Sequence, residues 1–240
     1  MSRLFSIADI HGRLDLLKQL WEKLESEQNL DLSKDKVIFT GDYIDRGPDS
    51  LGVLQFIYDL TQKHPDNVIA LSGNHEWMMI NFYTRGSEED RNLWLMNGGV
   101  ETIESFRMQL YNACPDHLLR WLAFAPLFHK EPGFFFSHAP APRDSYRNIM
   151  NKGLPDFTPD ELTWTYHPDE FGVARDHGNG VIGVCGHIHA LRKGWMAPRF
   201  YDHYIFGDAG CGCSPKAPLC AIEVKTREVI YAWPESSHKP

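Results

Sequence analysis

Five short stretches of the 240-residue chain combine carboxylate, amide and imidazole side chains with glycine. They are Asp9-Ile10-His11-Gly12, Gly41-Asp42-Tyr43-Ile44-Asp45-Arg46-Gly47, Gly73-Asn74-His75-Glu76, Ser137-His138-Ala139 and Gly186-His187-Ile188-His189. Asp9 and His11 project to the same side of an extended segment, because side-chain direction repeats every two residues. His187 and His189 share that geometry. With Asp42, Asn74 and His138 they supply two carboxylates, one amide oxygen and four imidazoles. A mixed nitrogen and oxygen set without thiolate suits Mn, Fe or Zn better than Ca or Mg. Seven ligands are too many for one ion. Two divalent ions sharing a bridging carboxylate use them all, about 3.5–4 Å apart in the usual two-metal arrangement.

Each stretch follows a short apolar run: Leu4–Ala8, Val37–Thr40, Val68–Leu71, Phe134–Phe136 and Val181–Cys185. Short apolar runs bounded by turn signals read as buried strands. In open α/β sheets, chemistry gathers beyond the carboxyl ends of strands, so the five clusters are expected on one rim. Leu14–Leu30 carries Leu14, Leu17, Leu20, Trp21 and Leu24 at helical spacing. Ser50–Gln62 repeats the pattern behind Pro48, with a cap at Asp49 or Ser50. These βα units predict a layered α/β fold. Glu76–Lys130 reads as mostly helical, broken at Asn97-Gly98-Gly99 and at Cys114-Pro115-Asp116. Residues 140–180 read as an irregular insertion. Tyr201–Trp233 reads as β-rich, with a hairpin pairing Leu219–Val224 and Glu228–Trp233. No repeat or linker divides residues 1–240, so one domain is expected.

Composition narrows the function. Hydrophobic residues make up 42% and charged residues 23%, ordinary values for a globular domain. Twenty-four basic against 32 acidic residues give a net charge of −8, which disfavours a nucleic-acid partner. No apolar run approaches the length of a membrane span, and no secretory leader pattern opens the chain. Five cysteines are an odd number and suit reduced thiols, hence a cytoplasmic location. Cys211-Gly212-Cys213 with Cys220 lacks the paired spacing of a thiolate zinc site. Trp94 and Trp121 read as core. His203 precedes Phe206-Gly207-Asp208-Ala209-Gly210, close to the expected rim.

The five stretches, in this order, resemble the calcineurin-like metallophosphoesterase superfamily. They are most similar to its phosphoprotein phosphatase branch, in particular the small bacterial and phage members. The resemblance implies an α-β-β-α sandwich with the dinuclear metal site at the strand ends. It implies Asp9, His11 and His189 on one metal, Asn74, His138 and His187 on the other, and Asp42 as the bridge. Many phosphoprotein phosphatases lack the second histidine of Gly-His-x-His, so His189 departs from that branch. Arg46 is implied to hold phosphate oxygens, His75 to be the general acid, and Asp45 to fix its tautomer and raise its pKa.

The chemistry agrees with what such ligands do. A phosphate ester resists hydroxide because its oxygens are negative. Two cations neutralise that charge and acidify a bound water for direct in-line attack, and a positioned histidine protonates the departing oxygen. The resemblance therefore implies a metallophosphatase, favouring a serine/threonine-type protein phosphatase acting on a phosphoprotein. The alternative is a bis(5'-nucleosyl)-tetraphosphatase or another phosphodiesterase. Asp45 in the Asp-Arg-Gly triplet favours the first, while Gly47-Pro48-x-Ser50 is common in the second. The branch also has a second phosphate-binding arginine two residues after a tryptophan. Here Trp164-Thr165-Tyr166 puts Tyr166 at that place as a neutral donor, with Arg175, or Arg143 or Arg147, as nearby arginines.

Overall fold

The computed structural model describes residues 2–140, 159–165, 180–189 and 196–235. Two five-stranded sheets form its centre. In the first, β1 (Leu4–Ile7), β2 (Lys36–Phe39) and β3 (Val68–Ala70) run parallel, and β9 (Leu219–Glu223) and β10 (Glu228–Ala232) complete the order β10-β9-β1-β2-β3. In the second, β4 (Phe128–Glu131), β5 (Phe134–Ser137), β6 (Ile182–Cys185), β7 (Arg199–Phe200) and β8 (Tyr204–Phe206) take the order β4-β5-β6-β8-β7, with β5, β6 and β8 parallel.

Alternation along the strands explains why the sheets stack. Leu4, Ile38, Phe136, Val184, Ile205 and Ile222 point into the space between the sheets and form one apolar cluster. Their neighbours Phe5, Ile7, Val37, Phe39 and Ala221 point the other way, into a larger cluster under the helices. Burying each such aliphatic or aromatic side chain contributes about 1.5–3 kcal/mol. The outer face of the second sheet packs Phe135 and Val181 against Leu162 of α7 (Pro159–Thr163). The layers are therefore helices, sheet, sheet, helix.

α1 (Leu14–Ser26) buries Leu16, Leu17, Leu20, Trp21 and Leu24 on one stripe. It stops short of Leu30; Asn29 just beyond it has a φ of 50°, a left-handed conformation that ends helices. α2 (Ser50–Lys63) starts at Asp49, whose carboxylate accepts from Gly52 N at 2.9 Å. α3 (Asn74–Thr84), α4 (Glu88–Trp94), α5 (Val100–Met108) and α6 (Asp116–Ala123) fill most of the stretch expected to be helical. The break expected at Asn97-Gly98-Gly99 is present as a kink: Gly98, with φ 106° and ψ 13°, is non-helical inside the π-type turn Leu95–Gly99 where α4 meets α5. One detail differs there. Phe128–Glu131 is a strand, not helix, because Pro132-Gly133 turns it back onto β5. The C-terminal hairpin forms as expected.

Candidate metal and phosphate site

The carboxyl ends of β1, β2, β3, β5 and β6 bring the five polar clusters together; four of them line a small cavity of about 90 Å³, and His138 of the fifth lies against Asp42. Nine non-glycine residues among those described have positive φ, and six of them are Asp9, His11, Asp42, Asp45, Arg46 and His187. Such backbone costs about 1–3 kcal/mol per residue and survives only where the surroundings over-determine it. The loops are tight because backbones meet: a Cβ on Gly41, whose φ is +100°, would lie 2.6 Å from Gly73 N and 2.9 Å from the His138 ring.

Asp42 lies at the centre. Its Oδ2 is 3.7 Å from His11 Nε2 and 3.8 Å from His75 Nε2, and its Oδ1 is 3.4 Å from His138 Nε2. The amide N–H of His75, in the first turn of α3, donates to Asp42 Oδ1 at 3.1 Å, placing the anion at a helix N-terminus. Burial would raise the Asp42 pKa, but His138, His75 and His11 outweigh burial and hold it below the usual carboxylate range. Two groups of potential metal donors share this carboxylate: His11, Asp42 and His75, and Asp42, His138 and His187.

The donor chemistry fits cations. His138 Nδ1 donates to Thr40 O at 2.8 Å, so its Nε2 presents a lone pair to Asn74 Oδ1, another acceptor, 2.9 Å away. Burial lowers the His138 pKa, which keeps that ring neutral. Two acceptors facing each other repel unless the amide turns or a cation lies between them. His11 Nδ1 likewise donates to Ile44 O at 2.9 Å, turning its Nε2 toward the centre. Burial, together with Arg46 and His75, holds His11 well below the usual imidazole range, and burial with His138 pushes His187 down to about 3. Neutral imidazoles are the form that binds metal.

Asp9 and His189 line the same cavity but stand outside the two close groups. The Asp9 carboxylate accepts from His187 N at 3.0 and 3.1 Å and is hydrogen-bonded to Asp208. Burial and the neighbouring Asp208 carboxylate raise Asp9 well above its ordinary value, and burial also raises Asp208. His189 Nδ1 is buried and has no hydrogen-bond partner among the described residues.

Arg46 closes the cavity. Its guanidinium donates to His11 Nε2 at 2.8 Å and to His75 Nε2 at 2.9 Å, and Nη1 also lies 3.0 Å from the exposed Cys213 Sγ. His75 Nδ1 meets the buried Asp45 Oδ2 at 2.6 Å. Burial would lower the His75 pKa, but Asp42 and Asp45 outweigh it and raise it. The arginine donating to Nε2 nevertheless fixes the ring as neutral in this arrangement. Asp45 is itself raised by burial, against hydrogen bonds from His75, Thr102 and Trp94.

Four residues outside the expected set join the site. Asp208 lines the cavity, as does Asn97 from the π-helical turn. Glu76 is fully buried and accepts from Asp42 N and Tyr43 N at 2.8 Å and from Gly73 N at 2.9 Å, tying two of the loops together. Trp164 lines the cavity with its ring 6.4 Å from that of His187. Tyr166, Arg175, Arg143 and Arg147 lie outside the described residues. Cys211 and Cys220 are buried free thiols whose pKa values burial raises.

The sequence profile of the calcineurin-like phosphoesterase family matches residues 2–191, and the chain belongs to that family. It is 31% identical over 134 residues, 55% of its length, to the symmetrical bis(5'-nucleosyl)-tetraphosphatase of Psychromonas ingrahamii. It is 39% identical over 93 residues, 39% of its length, to serine/threonine-protein phosphatase 1 of Salmonella typhimurium. The matches span 41% and 37% of those two proteins' own lengths. A cold-active protein tyrosine phosphatase shares the fold with a TM-score of 0.65 and 17% identity, over 100% of this chain and 78% of that one. Among the described residues no helix is long and apolar enough to cross a membrane.

Proposed function

We propose that the chain is a metal-dependent phosphomonoester hydrolase of the serine/threonine protein phosphatase type, built as one domain and working in a reducing, cytoplasmic compartment. The observation that carries the reading is the 2.6 Å contact between His75 Nδ1 and the buried Asp45 carboxylate. An alkoxide expelled from phosphoserine departs only with a proton, whereas a nucleotide leaves as a stable polyphosphate anion. A histidine backed by a carboxylate is built for the first demand.

In this reading Asp9, His11 and His189 hold one divalent cation, Asn74, His138 and His187 hold a second, and Asp42 serves both. Bound there, manganese (or iron or zinc, which the same donors accept) neutralises phosphate oxygens and acidifies a water. Arg46 swings from His11 and His75 to grip two phosphate oxygens with its planar fork. That motion frees Nε2 of His75, which takes up a proton from solvent and then gives it to the leaving oxygen. Asp45 accepts a hydrogen bond from Nδ1–H throughout and stabilises the imidazolium. With no covalent enzyme intermediate, the reaction inverts configuration at phosphorus. Outside the described residues, Tyr166 and Arg175 are the candidates for further phosphate contacts.

The name of the Psychromonas relative favours a second reading, hydrolysis of a dinucleoside tetraphosphate. One manganese-loaded preparation assayed on a phosphoserine peptide, diadenosine tetraphosphate and bis-p-nitrophenyl phosphate separates the two. The peptide should give the highest kcat/KM. Faster cleavage of the dinucleotide with an inert peptide would replace the proposal with the second reading.

A further inference from the structure

Asp45 and Arg46 are consecutive residues in the left-handed region, with φ of 73° and 67°. One segment, α4 and α5 with the kink between them, holds both. Trp94 ends α4, Gly98 lies in the π-helical turn and Thr102 lies in the first turn of α5, four residues apart in each step. Gly98 O accepts from Arg46 N at 3.2 Å. Trp94 Nε1 donates to Asp45 Oδ1 at 3.0 Å and lies 3.1 Å from Oδ2. Thr102 Oγ1 donates to Asp45 Oδ1 at 2.6 Å and accepts from Asp45 N at 2.9 Å.

The Thr102 hydroxyl has one proton, and Asp45 Oδ1 takes it. Ser50 Oγ, 2.9 Å away, must then donate to Thr102, and it also accepts from Asp45 N at 3.1 Å. Trp94 and Thr102 are wholly buried, so no water competes for these bonds. The helix face carrying Thr102 continues through Ser105, whose hydroxyl accepts from Leu51 N at 3.0 Å, so α5 is pinned to the start of α2. The carboxylate torsion of an aspartate is otherwise broad. Two donors on one oxygen remove that freedom and leave Oδ2 aimed at His75.

We infer that Thr102 and Trp94 are positioning residues for proton delivery: by locking the Asp45 carboxylate they fix the orientation of the His75 ring. The inference rests on the phosphomonoesterase reading. It assigns the α4–α5 segment a second task besides burying apolar surface, since both groups facing the substrate phosphate, Arg46 and His75, are set from behind by this one segment.

The test uses Thr102→Val, Thr102→Ser and Trp94→Phe in the full chain. Two esters are compared, p-nitrophenyl phosphate with its good leaving group and phenyl phosphate with a poor one. A second readout is the low-field proton NMR signal of His75 Nδ1–H in metal-free protein, identified by its loss in His75→Asn. Thr102→Val should lower kcat on phenyl phosphate by roughly 10–100-fold, within the range of general-acid contributions. On p-nitrophenyl phosphate the loss should stay under about threefold, KM should hold on both esters, and the Nδ1–H signal should shift upfield or vanish by exchange. Thr102→Ser, which keeps the hydroxyl, should restore both readouts, and Trp94→Phe should move them in the same direction as Thr102→Val. An unchanged signal overturns the inference, as does an equal loss on both esters, which marks a merely structural hydroxyl. If the valine variant does not fold, Trp94→Phe carries the same comparison. Should the unaltered chain hydrolyse neither ester, the phosphomonoesterase reading fails, while the NMR signal still decides the positioning.

Discussion

Gly98→Ala tests whether the α4–α5 segment sets Arg46. Gly98 has a φ of +106°, and a Cβ there would lie 2.8 Å from both the backbone nitrogen and Cγ of Arg46. Gly86 supplies the control: its φ is +65°, and a Cβ there meets nothing within 4 Å. Left-handed backbone costs an alanine about 1–2 kcal/mol at either position. At Gly98 the overlap adds about 1–3 kcal/mol, the usual cost of overpacking. A domain of this size loses about 2–4 °C per kcal/mol. Gly86→Ala should therefore melt about 4 °C lower, and Gly98→Ala about 10 °C lower. Function should separate them further. If Arg46 is pushed aside and one charge-assisted bond to phosphate is lost, about 1.5–3 kcal/mol disappears, or roughly 10–100-fold in kcat/KM. Gly86→Ala should stay within about twofold. The assay is steady-state hydrolysis of p-nitrophenyl phosphate with added manganese, beside calorimetric melting and metal analysis. Equal kcat/KM for the two variants would refute the reasoning. Loss of bound metal in Gly98→Ala would refute it too, because the overlap would then have reached a ligand instead of Arg46.

Three further outcomes follow from the site and the fold. His75→Asn should keep its metal content yet lose roughly 100-fold or more in turnover of phenyl phosphate; a metal lost in elemental analysis would make His75 a ligand. Asp208→Asn should weaken manganese binding about 10–100-fold by isothermal titration, the usual effect of removing an outer partner of a ligand, while leaving metal-free stability at neutral pH no lower, because its amide can donate to Asp9. Away from the site, Asp35 is buried and accepts from Arg3 N at 2.9 Å and from Arg3 Nε at 3.1 Å. Burial would raise its pKa, but Arg3 and the Asp31 amide outweigh burial and lower it. A depressed folded-state pKa means stability that is present above the unfolded value of about 3.9 and lost as pH falls through the folded value. Asp35→Asn should cost about 1–3 kcal/mol at pH 7 in urea unfolding, with the gap to the unaltered chain closing in acid; a gap that widens there would contradict the assignment.

What the sequence made legible was local. Each of the five clusters sits within a few residues of the strand that aims it, so apolar run, glycine and ligand could be read together. Asp208 obeys the same rule, following β8 in Gly207-Asp208-Ala209-Gly210, a stretch whose place near the rim is legible although the role of its carboxylate is not. Glu76 was visible as the last residue of its motif, but its three backbone partners belong to two different loops. Trp94 and Thr102 carried no signal at all. They reach Asp45 across 49 and 57 residues of chain, and at their own positions they are only a buried tryptophan and a helical threonine. β4 closes the stretch Glu76–Lys130 that reads as mostly helical, and its strand form comes from its pairing with β5, which lies beyond that stretch.

Electrostatics explains why this site can exist in an acidic protein. Asp9, Asp42 and Asp208 are each about 2% exposed, and three bare carboxylates that close could not all be ionised. The fold handles them unequally. Asp42 is held ionised by imidazoles and by the start of α3. Burial and mutual repulsion instead raise the pKa values of Asp9 and Asp208, which favours their protonated forms. A divalent cation held by these residues would be a stronger partner than either device: it would favour ionised Asp9 and relieve the facing acceptors of Asn74 and His138. Metal binding should therefore release protons, and it should stabilise the fold by RT ln(1 + [metal]/Kd), about 2.7 kcal/mol per site at a hundredfold excess over Kd. Titration calorimetry in two buffers of different ionisation enthalpy measures the released protons directly. Binding without proton release would mean that Asp9 and Asp208 are both ionised in the metal-free site.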